Sequence, residues 1–201
     1  EIVRISAPTG LGVEEDFMPF NAVPVPMAQI GLGLPKGFEL KLRYVPEQTI
    51  DEDGSVKLFG IGVMHDIKQW LPGEKILPFD LSLFVGYTNL QSSIYVDKDA
   101  NQTAEFDASS VVVQGVISKK ILFLTAFAGL GYSSYDVGFN MLGTYTTETS
   151  TFTNPISLNY KNGGLRTNVG VRLKLLFLTL TGEYAFQEYN TMSVGLGFSF
   201  R

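Results

Sequence analysis

The sequence predicts an all-β protein, an antiparallel transmembrane β-barrel, and three observations support this fold class. Turn signals divide the sequence into about nine strand-like segments, several of which alternate apolar and polar residues with the two-residue period of a β-strand. The connections between them alternate between short and long, as in barrels of the bacterial outer membrane. Aromatic residues gather near the strand ends, where a membrane barrel places its interfacial girdles.

The first two predicted strands flank the turn "PKG" at Pro35–Gly37. In "AQIGLGL" the apolar side chains fall on one face, at Ile30, Leu32 and Leu34. In "FELKLRYV" the apolar face holds Phe38, Leu40, Leu42 and Tyr44, and the opposite face holds Glu39, Lys41 and Arg43. Such strict alternation indicates a strand whose two faces meet different environments.

The middle of the chain gives a mixed signal. After the acidic loop 47–54, "SVKLFGIGVMHD" has apolar residues on both faces, so its phase is ambiguous. "IKQWLPGEKILP" leaves room for one helical turn, and its Trp70 suits either a membrane interface or a packed loop. "FDLSLFVGYT" alternates again, with Leu81, Leu83, Val85 and Tyr87 opposite Asp80, Ser82, Phe84 and Gly86.

The second half continues this pattern. A polar loop at 97–102 leads to a strand over 108–117, a tight turn "SKK" at 118–120, and the strand "ILFLTAFAGLGYSSYD". A Thr-, Ser- and Asn-rich loop is expected over 144–164. The short link "KLLF" joins the strands "LRTNVGVRLKL" and "FLTLTGEYAF", and every even residue from Met192 to Phe200 in the closing segment is apolar.

A soluble β-sandwich is the alternative, but it has no reason to sort its loops by length. In a barrel the apolar face meets lipid and the charged face meets the lumen, since a charge on the lipid face costs about 2–4 kcal/mol at mid-bilayer. The predicted lumen-lining residues are Glu39, Lys41, Arg43, Asp80, Arg166, Arg172, Lys174 and Glu183. The predicted lipid-facing residues are Leu40, Leu42, Leu83, Val85, Val171, Leu173, Leu178, Leu180, Val194, Leu196, Phe198 and Phe200.

Composition excludes several functions. The net charge of −5 argues against nucleic-acid binding, and the absence of cysteine rules out disulfides and thiolate metal sites. No apolar run is long enough for a transmembrane helix. The single histidine, His65, could join Asp66 and Asp80 in an acid–base or metal site, but a structural role is expected. The acidic segments "DEDG" and "DKDAN" read as solvated loops, so no metal, cofactor or catalytic residue is predicted.

Two stretches carry a resemblance to known barrels. The closing "SVGLGFSF" resembles the C-terminal signal that the outer-membrane insertion machinery recognises, with Arg201 as a small departure. "PMAQIGLGLPKGFELKLRYVP" and "LFGIGVMHDIKQWLPGEKILPFDLSLFVGYT" resemble an uncharacterised family of Bacteroidota outer-membrane barrels, itself similar to FadL-like and PorV-like barrels. This resemblance implies an outer-membrane location and a barrel of roughly fourteen strands.

Strand parity leads to a related expectation about domain organisation. If the short turns are periplasmic, the strand that starts at Ala28 runs inward from the outside. An even-stranded barrel with a periplasmic N-terminus then needs at least one more strand before Ala28. Residues 1–27 are expected to be an extended lead-in with at most one short strand, and residues 28–201 to be barrel strands. The chain is therefore expected to be the C-terminal portion of a larger barrel.

Three functions follow from this fold. The first is a non-enzymatic barrel that acts as a subunit or docking partner in an envelope complex, with Phe152, Ile156, Leu158 and Tyr160 as candidate contacts. The second is a FadL-like channel for hydrophobic or small solutes, whose inner pocket would use Phe59, Phe84, Phe127 or Phe177. The third, a lipid-modifying enzyme, is remote because only His65 could serve as a base. The expected partners are outer-membrane lipid, the barrel-insertion machinery and proteins of the envelope.

Overall fold

The computed structural model describes residues 28–50, 54–72, 77–146, 150–187 and 190–198. The expected lead-in over 1–27, most of the "DEDG" segment and the predicted lipid-facing residue Phe200 lie outside this part of the chain. Within it there are eleven strands: β1 (Ala28–Leu34), β2 (Phe38–Ile50), β3 (Gly54–Asp66), β4 (Asp80–Asp97), β5 (Gln102–Ile121), β6 (Leu124–Leu142), β7 (Thr144–Thr146), β8 (Thr151–Thr153), β9 (Ile156–Leu175), β10 (Leu178–Phe186) and β11 (Thr191–Phe198).

Nine of these strands form one curled, antiparallel sheet in the order β1-β2-β3-β4-β5-β6-β9-β10-β11. The short strands β7 and β8 pair only with each other, as a hairpin between β6 and β9. The helical elements of the described residues are two 3₁₀ turns, at Pro35–Gly37 and Lys68–Trp70. None of the described helices has the length and apolar character that a membrane crossing requires. The predicted all-β, antiparallel fold class is confirmed.

Two connections differ from the sequence-based expectation. The segment 118–120 is not a turn, because Lys119 and Lys120 pair with Ala126 and Thr125 in the ladder between β5 and β6. The chain reverses one step later, at Leu122, whose φ of 55° lies in the left-handed region. The expected long loop over 144–164 is also wrong, since it contains the β7–β8 hairpin and the first half of β9.

The register resolves which residues share a face. Leu42 is opposite Ile61, and Val85 is opposite Val113, so the apolar side chains of neighbouring strands form continuous rows. This face is the more exposed one, whereas the opposite face holds buried residues such as Asn168 and Ser133. We therefore call the exposed face convex and the opposite face concave, and the apolar rows on the convex face the apolar belt.

Aromatic side chains border the apolar belt at both ends. Tyr44, Phe59, Tyr87, Tyr132 and Tyr184 lie toward one end of the strands, and Phe38, Trp70, Phe123, Phe177 and Phe198 lie toward the end with the short turns. Most of these rings are exposed on the convex side. Two aromatic borders around an apolar band are the arrangement that a bilayer selects in outer-membrane barrels.

The four central strands are longer than a membrane requires. β4, β5, β6 and β9 contain 18, 20, 19 and 20 residues, whereas about 9–11 residues suffice to cross the hydrocarbon core. The surplus lies at the end away from the short turns. We call this part the extended wall; it comprises residues 88–95, 103–110, 135–142 and 156–162.

Candidate functional sites

The predicted charged residues of β2, β9 and β10 lie together on the concave face. Register and strand alternation place Glu39, Lys41 and Arg43 on one side of the curl, and Arg166, Arg172, Lys174 and Glu183 on the other. We call these seven residues the concave charged cluster. It contains five basic and two acidic side chains, so its formal charge is +3.

On β9 and β10 this cluster is held by a network around Glu183. The Asn168 amide donates a hydrogen bond to Glu183 Oε1 at 3.0 Å, and Arg166 Nη2 lies 3.5 Å from the same oxygen. Arg166 Nη1 also donates to Gln187 Oε1, which accepts a second bond from the Tyr135 hydroxyl at 3.3 Å. Asn168 is almost fully buried, so it fixes the position of the Glu183 carboxylate.

The charged residues of β2 interact electrostatically with this network. Lys41 Nζ lies 3.7 Å from Glu39 on its own strand, and its charge also interacts with those of Glu183 and Arg172. The Arg43 guanidinium interacts with Glu183 and with the like charge of Arg166. Residues of β2 therefore interact electrostatically with residues of β9 and β10, which are five and six places away in the sheet order.

Asp80 is the predicted concave residue that does not join the cluster. Its carboxylate pairs with Lys68 Nζ at 3.1 Å, and that ammonium also donates to the Leu77 carbonyl at 3.1 Å. Lys68 belongs to the 3₁₀ turn before β4, so this pair fastens the β3–β4 connection at the end of the sheet.

The predicted lipid-facing residues within the described part of the chain lie on the convex face. They occupy shared rows, for example Leu40 opposite Val63 and Leu180 opposite both Leu173 and Leu196. Phe59 lies on this face too, next to Tyr44, so its expected place in an inner pocket is wrong. Phe177 sits in the β9–β10 turn and stacks on Phe198, with 6.3 Å between ring centroids. Of the four candidate pocket phenylalanines, Phe84 and Phe127 face inward.

In the extended wall the two faces exchange their polarity, although the ladder between β4, β5, β6 and β9 continues without a bulge as far as Tyr95. The concave side begins next to the belt with a polar row, Thr88–Ser110–Tyr135–Asn162, and three largely apolar rows follow: Leu90–Ala108–Val137–Tyr160, Ser92–Phe106–Phe139–Leu158 and Ile94–Ala104–Met141–Ile156. On the convex side three polar rows, Asn89–Ser109–Asp136–Lys161, Gln91–Asp107–Gly138–Asn159 and Ser93–Glu105–Asn140–Ser157, are followed by Tyr95–Thr103–Leu142. Above the belt, the apolar side of the sheet is therefore the inner one.

Hydrogen bonds and charge pairs on the convex side of the extended wall suit contact with water. Asp107 accepts hydrogen bonds from Asn89 at 3.0 Å and Gln91 at 2.7 Å, and Lys161 pairs with Asp136 at 2.8 Å. The concave side keeps large apolar side chains accessible, with Leu158 62% and Tyr160 58% exposed. An accessible apolar surface beyond the membrane-level belt is typical of a contact site for another molecule.

His65 has structural contacts and no catalytic arrangement among the described residues. The Trp70 indole N–H donates to His65 Nε2 at 2.9 Å, and Phe38 stacks on the imidazole at a centroid distance of 4.0 Å. Asp66 accepts the Lys68 backbone N–H. The same part of the chain holds no group of three or more His, Asp or Glu side chains that could bind a metal.

Sequence reasoning found the charged cluster but missed the residues that hold it. Asn168, Gln187 and Tyr135 are neutral, and their role appears only when β6, β9 and β10 are aligned. It also missed the concave rows on β4, β5 and β6, because the apolar residues change from one face to the other within each of these strands. Phe106 and Phe139 alternate with polar residues there, and that signal could have identified them.

Comparison with known proteins gives a family and a general likeness. A family model described as a family of unknown function, DUF6588, matches residues 1–200. No curated protein matches the chain. Among solved structures, the chain is similar to Ail, the attachment invasion locus protein of Yersinia pestis, in complex with the heparin analogue sucrose octasulfate. The two are 12% identical with a TM-score of 0.42, over 80% of this chain and 94% of that one.

Proposed function

The chain belongs to the DUF6588 family, and we propose that it is a non-enzymatic barrel protein of the outer membrane that docks a partner protein of the cell envelope. The observation that carries this proposal is the inversion of polarity in the extended wall. In an ordinary barrel the apolar face is the one that meets lipid. Here a second apolar face lies beyond the belt and on the opposite side of the sheet, where lipid does not reach it.

The membrane location is supported by the apolar belt and its two aromatic borders. Outward-facing leucine and valine residues of β4, β9 and β11 are exposed, for example Val85, Val171 and Leu196. In water such a continuous exposed band would cause aggregation, whereas in a bilayer it lowers the free energy of the protein. Outer-membrane lipid is therefore the first partner of the proposed function.

The docking surface is the concave side of the extended wall. Tyr160 and Leu158 stand at the β9 ends of two neighbouring concave rows, and Phe106 and Phe139 provide aromatic area in the row of Leu158. Aromatic and large aliphatic side chains are the residues that anchor protein–protein contacts. We expect the bound partner segment to be apolar, because the three upper concave rows offer only Ser92 and the Tyr160 hydroxyl as polar groups among the described residues.

A FadL-like channel for hydrophobic or small solutes is the second candidate. Phe84 and Phe127 favour it, because both rings lie on the concave face at the level of the belt. The charged cluster at the same level is unfavourable for an apolar solute. The resemblance to FadL-like and PorV-like barrels remains an expectation from the sequence.

The experiment compares two neighbouring substitutions on β9. Leu158→Glu places a carboxylate on the concave side of the extended wall, and Asn159→Glu places the same charge on the convex side. Each variant is extracted from its own membrane in mild detergent and measured by native mass spectrometry. We expect a stoichiometric partner in the wild type and in Asn159→Glu, and its loss in Leu158→Glu.

Two outcomes would contradict the docking proposal. If Leu158→Glu keeps the partner as well as Asn159→Glu does, the concave side of the extended wall is not the contact. If the wild type carries an apolar small molecule and no protein, the channel becomes the better explanation.

A further inference from the structure

One lysine interrupts the apolar belt. Among the residues that the structure describes, register and strand alternation place a single charged side chain on the convex face between the two aromatic borders, that of Lys119. Its neighbours on this face of β5 are Ile117 and Ile121, and Ala126 lies opposite it on β6. A charge on the lipid face destabilises a barrel, least of all near the membrane interface. Lys119 is two residues from the end of β5, so it lies near that interface.

A groove on the convex face lies beside this lysine. Its volume is about 370 Å³, and its lining includes Phe79 from the segment before β4, Ile117 and Lys119 from β5, and Ala126 and Ala128 from β6. Four of these side chains project from the convex face, so the groove opens on the lipid side. The two alanines are smaller than the leucine, isoleucine and valine side chains that predominate in the belt, and they leave a depression in its surface. We call it the convex groove.

The Lys119 ammonium has no counter-charge within the described part of the chain. No carboxylate there lies within 4.0 Å of it. Asp80, at the same end of β4, projects from the concave face and pairs with Lys68 at 3.1 Å. A lysine on an apolar surface extends its hydrocarbon stem along that surface and places its ammonium at the membrane interface, where lipid headgroups lie. The anion that suits Lys119 is therefore one on the lipid side.

The groove and the lysine together suit an anionic phospholipid. One acyl chain fits the apolar lining, and an ammonium is a compact point charge that binds phosphate. A zwitterionic phospholipid carries its own cationic group, which competes with Lys119 for the phosphate, so a lipid of net negative charge fits better. The convex groove is continuous with the apolar belt, so a lipid reaches it from the bilayer, whereas a protein segment would first have to displace lipid.

We propose that the convex groove is a binding site for one anionic phospholipid, whose acyl chain lies on β5 and β6 and whose phosphate binds Lys119. The site rests on the proposed membrane location, because the groove belongs to the face assigned to lipid. It is independent of the docking surface on the extended wall. It also goes beyond general contact with lipid, since it requires selection of one headgroup charge at one place on the belt.

The test measures which lipid the purified full chain retains. The protein is inserted into vesicles of equal parts phosphatidylglycerol, which is anionic, and phosphatidylethanolamine, which is zwitterionic. It is then released into mild detergent, and the retained lipids are counted by native mass spectrometry. Lys119→Gln removes the cation; Lys120→Gln is the matched control, because it removes the same charge at the next residue, on the concave face opposite Thr125. We expect the wild type and Lys120→Gln to retain one phosphatidylglycerol, and Lys119→Gln to retain roughly fivefold less.

A second pair of variants tests the groove without changing any charge. Ala126→Leu fills the depression opposite Lys119, so we expect retention of phosphatidylglycerol to fall at least as far as in Lys119→Gln. Thr167→Leu is the control, because it adds the same side chain to the convex face outside the groove, and we expect no change. Both substitutions put an apolar residue on an apolar face, so both variants are expected to fold, as checked by the heat-dependent shift in electrophoretic mobility.

Three results would overturn the lipid site alone. The first is equal retention of the two lipids by the wild type, which would indicate ordinary boundary lipid. The second is an equal loss in Lys119→Gln and Lys120→Gln, and the third is retention by Ala126→Leu at the wild-type level. Failure of the wild type to enter the vesicles would instead contradict the proposed membrane location, and the lipid site with it, so the two failures are distinguishable.

Discussion

A pair of neighbouring valines on β5 tests whether the convex face meets lipid. Val113 lies on the convex face between Val85 and Tyr132, and Val112 lies on the concave face between Gly86 and Ser133. Along β5, Val113 is four residues from Ile117, near the short turns, and four from Ser109, where the convex face becomes polar. A lysine at 113 would therefore lie near the middle of the apolar belt, and a lysine at 112 would lie at the same depth on the other face.

The expected magnitudes differ because the surroundings differ. In a bilayer, Val113→Lys should cost about 2–4 kcal/mol, which lowers the folding equilibrium constant by roughly 30- to 1,000-fold. Val112→Lys should cost less, since its neighbours are small and its face is polar. If the same sheet stood in water, the order would be reversed. Val113 is already 44% exposed, so a lysine there would change stability by about 0.5 kcal/mol or less.

The assay is reversible folding into lipid vesicles, with the folded fraction followed by electrophoretic mobility over a urea gradient. We expect the midpoint of Val113→Lys to fall clearly below those of the wild type and Val112→Lys. A Val112→Lys variant that is less stable than Val113→Lys would refute the assignment of the convex face to lipid, and with it the proposed membrane location.

Two further predictions concern packing and charge. Gly62→Val should lower the free energy of unfolding by about 1–3 kcal/mol, because a Cβ atom at Gly62 would lie 2.7 Å from the Phe84 ring. Gly182→Val, where nothing lies within 4 Å, is the control in urea titration, and equal losses would disprove this explanation. Asp136 raises the pKa of Lys161 above its usual 10.5 through a hydrogen bond and through its negative charge. The ion pair therefore stabilises the folded protein at and below pH 10.5, and this stabilisation is lost as the pH rises through the raised pKa. Asp136→Asn should return that pKa to its usual value in an NMR titration of the lysine, and an unchanged pKa would contradict the pairing.

Sequence patterns predicted the faces well where charges alternate strictly with leucine or valine. On β2 and β9 the alternation of Arg43 and Arg172 with apolar neighbours gave the same phase that the register has. β3 was ambiguous because glycines and apolar residues occupy both of its faces, as at Gly60 and Ile61. A glycine has no side chain to indicate a preferred environment, so the phase of β3 depends on its pairing with β2 and β4.

Two features required the three-dimensional arrangement. The electrostatic interaction of Arg43 with Arg166 depends on the curl that accumulates over the intervening strands, and the sequence of a single strand does not encode it. The β9 part of the extended wall, residues 156–162, was expected to belong to a loop because the threonine, serine and asparagine content of 144–164 resembles that of turns. Residues 156–162 instead pair with β6 as part of strand β9. Pairing between strands therefore overrides the local preference for a turn.

The order of strands in the sheet also bears on how the protein is assembled. Each strand of the nine-stranded sheet lies beside the one before it in the chain, and the β7–β8 hairpin is the one insertion between sheet neighbours within the described residues. Pairing of this kind closes short segments of chain, which keeps the entropic cost of each step low and favours rapid formation. The sheet can therefore grow one hairpin at a time, and each new strand covers the open backbone edge left by its predecessor.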